Sequence, residues 1–321
     1  MLLDAHNHLQ DPWLTPHRDR VLADLASAGV HACVVNGTSE TDWPDVTSLC
    51  AAFSAPLPQN SKPQTPNPKP LLLPSYGLHP WNVGNASPHW RDSLLRVLDA
   101  HPHAFVGEIG LDRWMLDRAR PDDSRLAGLR RASLDEQRDA FTWQLALAAE
   151  RNLPATIHCI DAWGALADVL RHAKLPARGF LLHAYAGSAE LARDFATLGA
   201  YFSFNGYFLP PAPLSTQCHI MDDIPPRAAR RLDVFCALPL DRLLVETDAP
   251  AMPPPAAHRT HELPGLADGN PINHPANLDA IYAGLAQLRG LSLPDLTAQI
   301  ADNFARLFGA PSQLKTQNSK P

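Results

Sequence analysis

A chain of 321 residues, 45% hydrophobic and 19% charged, has ample material for a large core, which excludes disorder over its whole length. Its 27 Lys and Arg against 33 Asp and Glu leave a formal charge of −6, which argues against a broad basic surface and leaves any polyanion to be gripped locally. The five cysteines, Cys33, Cys50, Cys159, Cys218 and Cys236, are odd in number and contain no C-x-x-C pair, so reduced thiols and a cytoplasmic setting are expected.

The chain opens on the apolar run "MLLDAH", followed by "NHLQD", with no basic stretch ahead of a long apolar one. No run approaches the roughly 18 residues of a membrane span, so a soluble protein without a membrane partner is expected. In a strand, His6 and His8 turn to the same face, roughly 6 to 7 Å apart, a spacing that suits a shared metal ion. "TPHRDRVLADLASAG" at 15–29 reads as a helix capped by Thr15, with Pro16 in the first turn and Gly29 at its end. A second apolar run, "HACVVNG", follows. Residues 54–70, "SAPLPQNSKPQTPNPKP", have almost nothing to bury and predict an exposed, flexible insert. Its "QNSKP" recurs at 317–321, within a tail from 310 expected to be disordered.

Further along come "LLPSYGLH", "AFVGEIG", "PATIHC", "GFLLHA", "AYFSFNG" and "RLLVETD", which complete eight candidate strands. Between the fourth and fifth, "SLDEQRDAFTWQLALAAERNLP" at 133–154 reads as a helix opened by a Ser133/Glu136 capping box. Strand and helix alternating through eight cycles predict an α/β fold, a (β/α)8 TIM barrel filling residues 1–309; a doubly wound open sheet is the alternative.

Conspicuous histidines and carboxylates are expected at the C-terminal ends of these strands: His6 and His8 on the first, Glu108 on the fourth, His158 on the fifth, His183 on the sixth and Asp248 on the eighth. That face is where barrels of this kind build active sites. Four histidines and two carboxylates suit Zn²⁺ or another borderline divalent ion, with Mg²⁺ or Mn²⁺ less suited, and two ions sharing Glu108 would be arranged for hydrolysis. None of Lys62, Lys69, Lys174, Lys315 and Lys320 ends a predicted strand, so a bridge between ions falls to a carboxylate. Cys159 points away from His158 by strand alternation and is structural.

The motifs "DAHNHLQ", "YGLHPW", "GEIGLD", "PATIHCIDA", "LLHAYAGS", "YFSFNG", "LLVETDAPAMPP" and "DNFARLF", in this order over residues 2–309, resemble the TatD family of metal-dependent deoxyribonucleases. The resemblance implies a metal-dependent hydrolase in which His6, His8, Glu108 and Asp248 hold one ion and Glu108, His158 and His183 the other. It also implies that Asp248 orients or deprotonates the attacking water, and that His79 stands near the substrate phosphate. Arg113 is a second candidate phosphate contact. The implied substrate is DNA, single-stranded or at frayed ends, with no obligate protein partner; a small-molecule or acyl-ester hydrolase on the same barrel is the alternative.

Between Asp112 and Arg138 seven arginines nearly cancel against six acidic residues, which predicts a solvated loop, while Trp81 and Trp114 could stack on unpaired bases or simply pack. The chain departs from the family pattern at Trp81, where a histidine is usual, and at His274, where a glutamate is usual.

Overall fold

The computed structural model describes residues 1–54, 69–211, 226–266 and 269–310; most of the insert expected at 54–70, and the tail after 310, lie outside them. Eight parallel strands form one sheet in consecutive order: β1 (Leu2–Asn7), β2 (Val30–Asn36), β3 (Leu71–Tyr76), β4 (Phe105–Asp112), β5 (Ala155–Ile160), β6 (Phe180–Leu182), β7 (Ala200–Asn205) and β8 (Leu243–Glu246). Consecutive order and uniform direction are the barrel arrangement and exclude the doubly wound alternative, whose strand order reverses. Nearly every strand residue is buried, the pattern of a parallel sheet covered on both faces.

The covering layer consists of α1 (Arg18–Ser27), α2 (Trp43–Ser54), α3 (Trp90–Ala100), α4 (Trp114–Asp117), α5 (Leu134–Arg151), α6 (Trp163–His172), α7 (Ala189–Thr197), α8 (Pro226–Ala237), α9 (Leu278–Arg289) and α10 (Leu293–Phe308). The capping box at α5 forms as its sequence predicts, with Ser133 and Glu136 each satisfying the other's backbone N–H. In α10, Leu296, Ile300, Phe304, Leu307 and Phe308 recur at helical spacing and turn inward, with Phe308 against Phe105. None of these helices is long and apolar enough to cross a membrane.

The first helix corrects one expectation. Thr15 does not cap it: Thr15–His17 form a short 3₁₀ turn, and α1 starts at Arg18 after His17 breaks the helical backbone at φ −116°. Thr15 Oγ1 instead accepts a 2.8 Å bond from Arg18.

The two ends of the sheet meet without a regular ladder. Asp248 N donates to His6 O at 3.0 Å and His8 N to Ala249 O at 2.8 Å. Lower down, Asp4 accepts from Thr247 N and Oγ1 at 3.0 and 2.6 Å. The Tyr282 hydroxyl of α9 accepts from Leu3 N and donates to Leu3 O, at 3.1 and 3.0 Å. The buried backbone at the seam is thus satisfied by side chains where strand pairing is missing.

Candidate metal centre

His158 lies inside its strand, the fourth of six residues in β5, and Glu108 is not at the end of its own either. Glu108 is the fourth of eight residues in β4, at an irregularity where the pairing with β5 shifts between Val106 and Ile109. Its N–H donates to Gly37 O at 2.9 Å, and the side chain is buried in the barrel mouth. The strand reaches four residues further, to Asp112.

The two carboxylate oxygens of Glu108 face different partners. Oε2 lies 3.5 Å from His6 Nε2 and 3.3 Å from His8 Nε2, and each of those nitrogens is 3.4 Å from Asp248 Oδ1. Oε1 lies 2.9 Å from His158 Nδ1 and 2.8 Å from His183 Nε2. Within each pair the ring nitrogens approach closely, 3.2 Å between His6 and His8 and 3.1 Å between His158 and His183. Two imidazoles aim nitrogens at one another only around a shared proton or a shared cation, so the donor set fits a metal on each side of Glu108.

The far nitrogens of these rings are held in turn. His8 Nδ1 is 2.7 Å from Asn36 O, and His158 Nε2 is 3.2 Å from Asp112 Oδ2. His183 Nδ1 has Glu246 Oε1 only as a charge neighbour at 3.7 Å, beyond hydrogen-bond distance, and Glu246 is itself bound by Ser203 and Asn205. Such partners direct the proton to the far nitrogen and the lone pair to the metal side. His6 Nδ1 is buried without a hydrogen-bond partner among the described residues, and its ring stacks on His183 with centroids 4.2 Å apart.

Charge is concentrated here. Burial opposes ionisation of Glu108, but His183, His6 and the hydrogen bond from His158 outweigh it and hold the carboxyl well below the usual range. Asp248 is held low in the same way, against burial, by His6 and His8. Burial likewise opposes protonation of His8, yet Asp248 and Glu108 lift it well above the ordinary histidine value. Glu108 with Glu246 does so for His183, and Asp112 with Glu108 raises His158. Without a cation the centre therefore stores protons that a metal must displace.

His79 stands apart from these rings. Its Nε2 is 3.4 Å from Glu108 Oε1, close enough to group it with Glu108 and His158 as potential ligands. But its Nδ1 accepts the Trp81 backbone N–H at 3.1 Å, which leaves the proton of the neutral ring on Nε2. Burial lowers its basicity and keeps it neutral. His79 is thus a hydrogen-bond donor aimed into the centre.

The remaining candidates are more distant. Arg113 is half-exposed and paired with Asp117 at 2.7 Å, outside the histidine cluster. Several of the arginines that follow are paired with carboxylates, Arg118 with Asp161, Arg120 with Asp122, Arg125 with Asp123 and Arg130 with Glu136, while Arg131 bonds the carbonyls of Ala119 and Arg120. Trp81 and Trp114 pack together beside a small apolar cluster of Met115, Ala119 and Leu126. His274 is buried and neutral: Nδ1 accepts from Ala276 N at 3.0 Å and Nε2 bonds Asp24 Oδ2 at 3.1 Å. The adjacent Asn273 braces the Asp248 segment, its N–H on Pro250 O and its amide on Thr247 O. Asp112 and Glu246 escaped the sequence reading, although strand alternation puts Asp112 on the face of Glu108 and Glu246 two residues before Asp248.

A family profile described as TatD related DNase matches residues 3–309. The chain belongs to the TatD family. Among TatD relatives, it is 27% identical over 311 residues to an uncharacterized metal-dependent hydrolase, YcfH, of Escherichia coli K12, covering 96% of this chain and 95% of that protein. It is 26% identical to a protein named 3'-5' ssDNA/RNA exonuclease TatD in Klebsiella pneumoniae, covering 96% and 98%. The crystal structure of YjjV, a TatD homologue from Escherichia coli K12, superposes with a TM-score of 0.71 at 27% identity, covering 97% of this chain and 98% of that one. This TatD chain is a metal-dependent hydrolase with the barrel that its sequence predicts.

Proposed function

We propose that this chain is a dinuclear phosphodiesterase that removes nucleotides from single-stranded DNA or frayed ends. The observation that carries the reading is the divided carboxylate of Glu108, each oxygen serving its own pair of histidines. In this reading His6, His8, Asp248 and Glu108 Oε2 hold one divalent ion, and Glu108 Oε1, His158 and His183 the other, with Zn²⁺ best suited to the nitrogen-rich set. When bound, the ions supply Lewis acidity that makes water acidic at neutral pH and offsets charge on the phosphoryl group. Asp248, held ionised by its histidine neighbours, accepts the proton of the attacking water. His79 presents Nε2–H as a donor to a phosphoryl oxygen, a role suited to a ring kept neutral. Asn36 and Asp112 hold the His8 and His158 rings by hydrogen bonds, and Glu246 faces the His183 ring.

Relatives named as ssDNA/RNA exonucleases support a nucleic-acid substrate. The paired arginines around the site favour single strands over a duplex, which needs a wider unpaired basic surface. The thiols of Cys33, Cys159 and Cys236, none of them in a disulfide, suit a reducing cytoplasm. The test is metal analysis of the purified protein, together with cleavage of a fluorescent single-stranded oligonucleotide by wild type and by Glu108→Ala. Metal-dependent cleavage by wild type alone supports the nuclease. Bound metal without cleavage redirects the search to small phosphate or acyl esters, and absence of metal overturns the reading.

A further inference from the structure

Asp112 is buried, and each oxygen of its carboxylate has separate work. Oδ1 accepts the Met115 N–H, in the first turn of the short helix α4, at 2.9 Å. Oδ2 receives two donors: the Trp81 indole N–H at 2.6 Å and His158 Nε2 at 3.2 Å. The backbone of Asp112 is fixed as well, because Gln137 bonds both its N–H and its carbonyl, at 2.8 and 3.1 Å. Trp81 is anchored at its other end by its backbone bond to His79 and by packing on Trp114. An indole has one N–H and no acceptor, so it can only donate, and this donor holds the carboxylate at a fixed rotation whatever the pH.

We infer that Trp81 is a positioning residue for the metal centre: through Asp112 it sets the ring angle of His158 and so tunes how tightly the His158–His183 side of the centre holds a divalent ion. The inference rests on the dinuclear reading above. The indole touches no proposed ligand nitrogen. It fixes the acceptor that a ligand ring must follow, and removing outer partners of this kind typically weakens metal binding about 10- to 100-fold. Trp81 is one step further out than Asp112, which places its expected effect near the lower figure.

The experiment is competition for Zn²⁺ between the protein and a chromogenic chelator, which resolves the two dissociation constants without reference to turnover. Trp81→Phe keeps an aromatic ring in the packing and removes the N–H. Substitution of Trp81 by benzothienylalanine removes only the N–H from a ring of nearly the same shape and guards against a folding defect. The expected result for both is one Zn²⁺ constant weakened about tenfold, the other within twofold of wild type, and unchanged circular dichroism. Asp112→Asn is weakened at the same site, and in that background Trp81→Phe adds nothing further, because the indole acts through Asp112. Unchanged constants in the Trp81 variants overturn the inference. So does an equal loss from Trp81→Phe with and without Asp112, which marks a packing effect. A wild-type protein that holds no Zn²⁺ overturns the dinuclear reading itself, and the inference with it.

Discussion

His274 is a buried imidazole that must stay neutral to do its structural work. The Ala276 N–H points at Nδ1, so a second proton there would face another donor. Burial and the neighbouring His261 push the ring down to about 4 from an ordinary 6.5, against the pull of Asp24. Above pH 6.5 the ring is neutral in the folded and unfolded chains alike. As pH falls towards 4 the unfolded chain takes up the proton first, so folding stability is lost over that interval. Between about pH 7.5 and about pH 5 the loss from this one residue is about 2 kcal/mol. His274→Asn keeps a side-chain oxygen able to accept from Ala276 N but has nothing to titrate. The variant should start about 1 kcal/mol less stable at pH 7.5, from the missing Asp24 contact, and then lose about 2 kcal/mol less than wild type on acidification. Urea unfolding of the two proteins in chelator at both pH values measures the difference, and the histidines remote from His274 cancel in it. Equal acid losses in the two proteins would refute the reasoning and place the proton elsewhere.

Glu108→Gln removes the one charge that both halves of the centre share; bound metal should fall below one ion per chain and hydrolysis by at least about 10³-fold, read by metal analysis and oligonucleotide cleavage. Stripping with chelator should abolish activity, and returning Zn²⁺ at about 100 times the dissociation constant of each site should restore it and raise unfolding stability by about 2.7 kcal/mol for each ion bound, seen as a shift in Tm. Because His8, His158 and His183 are all raised, that binding should release protons near neutral pH and tighten as pH rises, which calorimetry in buffers of different ionisation enthalpy detects. Gly110 has φ +144° and a Cβ built there collides with the His158 carbonyl, so Gly110→Ala should cost more than about 3 kcal/mol in urea unfolding and reduce metal content by displacing a ligand strand.

The barrel was legible because parallel strands buried on both faces read as uninterrupted apolar runs, and eight such runs with helical stretches between them leave few topologies. His6, His8, His158, His183 and Asp248 stood out as polar residues closing those runs. Glu108 stood out for the same reason but was set at the wrong depth, since the irregularity in β4 beside it arises from pairing with β5, which local sequence does not express. The proton on His79 was not legible either: it follows from a backbone N–H two residues away whose direction depends on the loop fold. Thr15 failed as a cap because a good capping residue beside Pro16 describes two equally local solutions, and the chain adopts the short 3₁₀ turn.

The seam between β1 and β8 ties assembly to chemistry. Above the Asp4–Thr247 bonds, the backbone hydrogen bonds that join the first strand to the last run from Asp248 to His6 and from His8 to Ala249, so the backbones of three candidate ligands close the ring while their side chains converge beside one oxygen of Glu108. Some 240 residues separate the two ends of that corner, so it comes into being only when the circle closes. A chain still emerging from the ribosome carries its first two histidines early and has no Asp248 to set against them until the last strand arrives. On the dinuclear reading, hydrolytic competence would thereby be withheld from every partly made or partly folded copy, and a cation held at that corner would act as a clasp on the ring, resisting its opening from the inside.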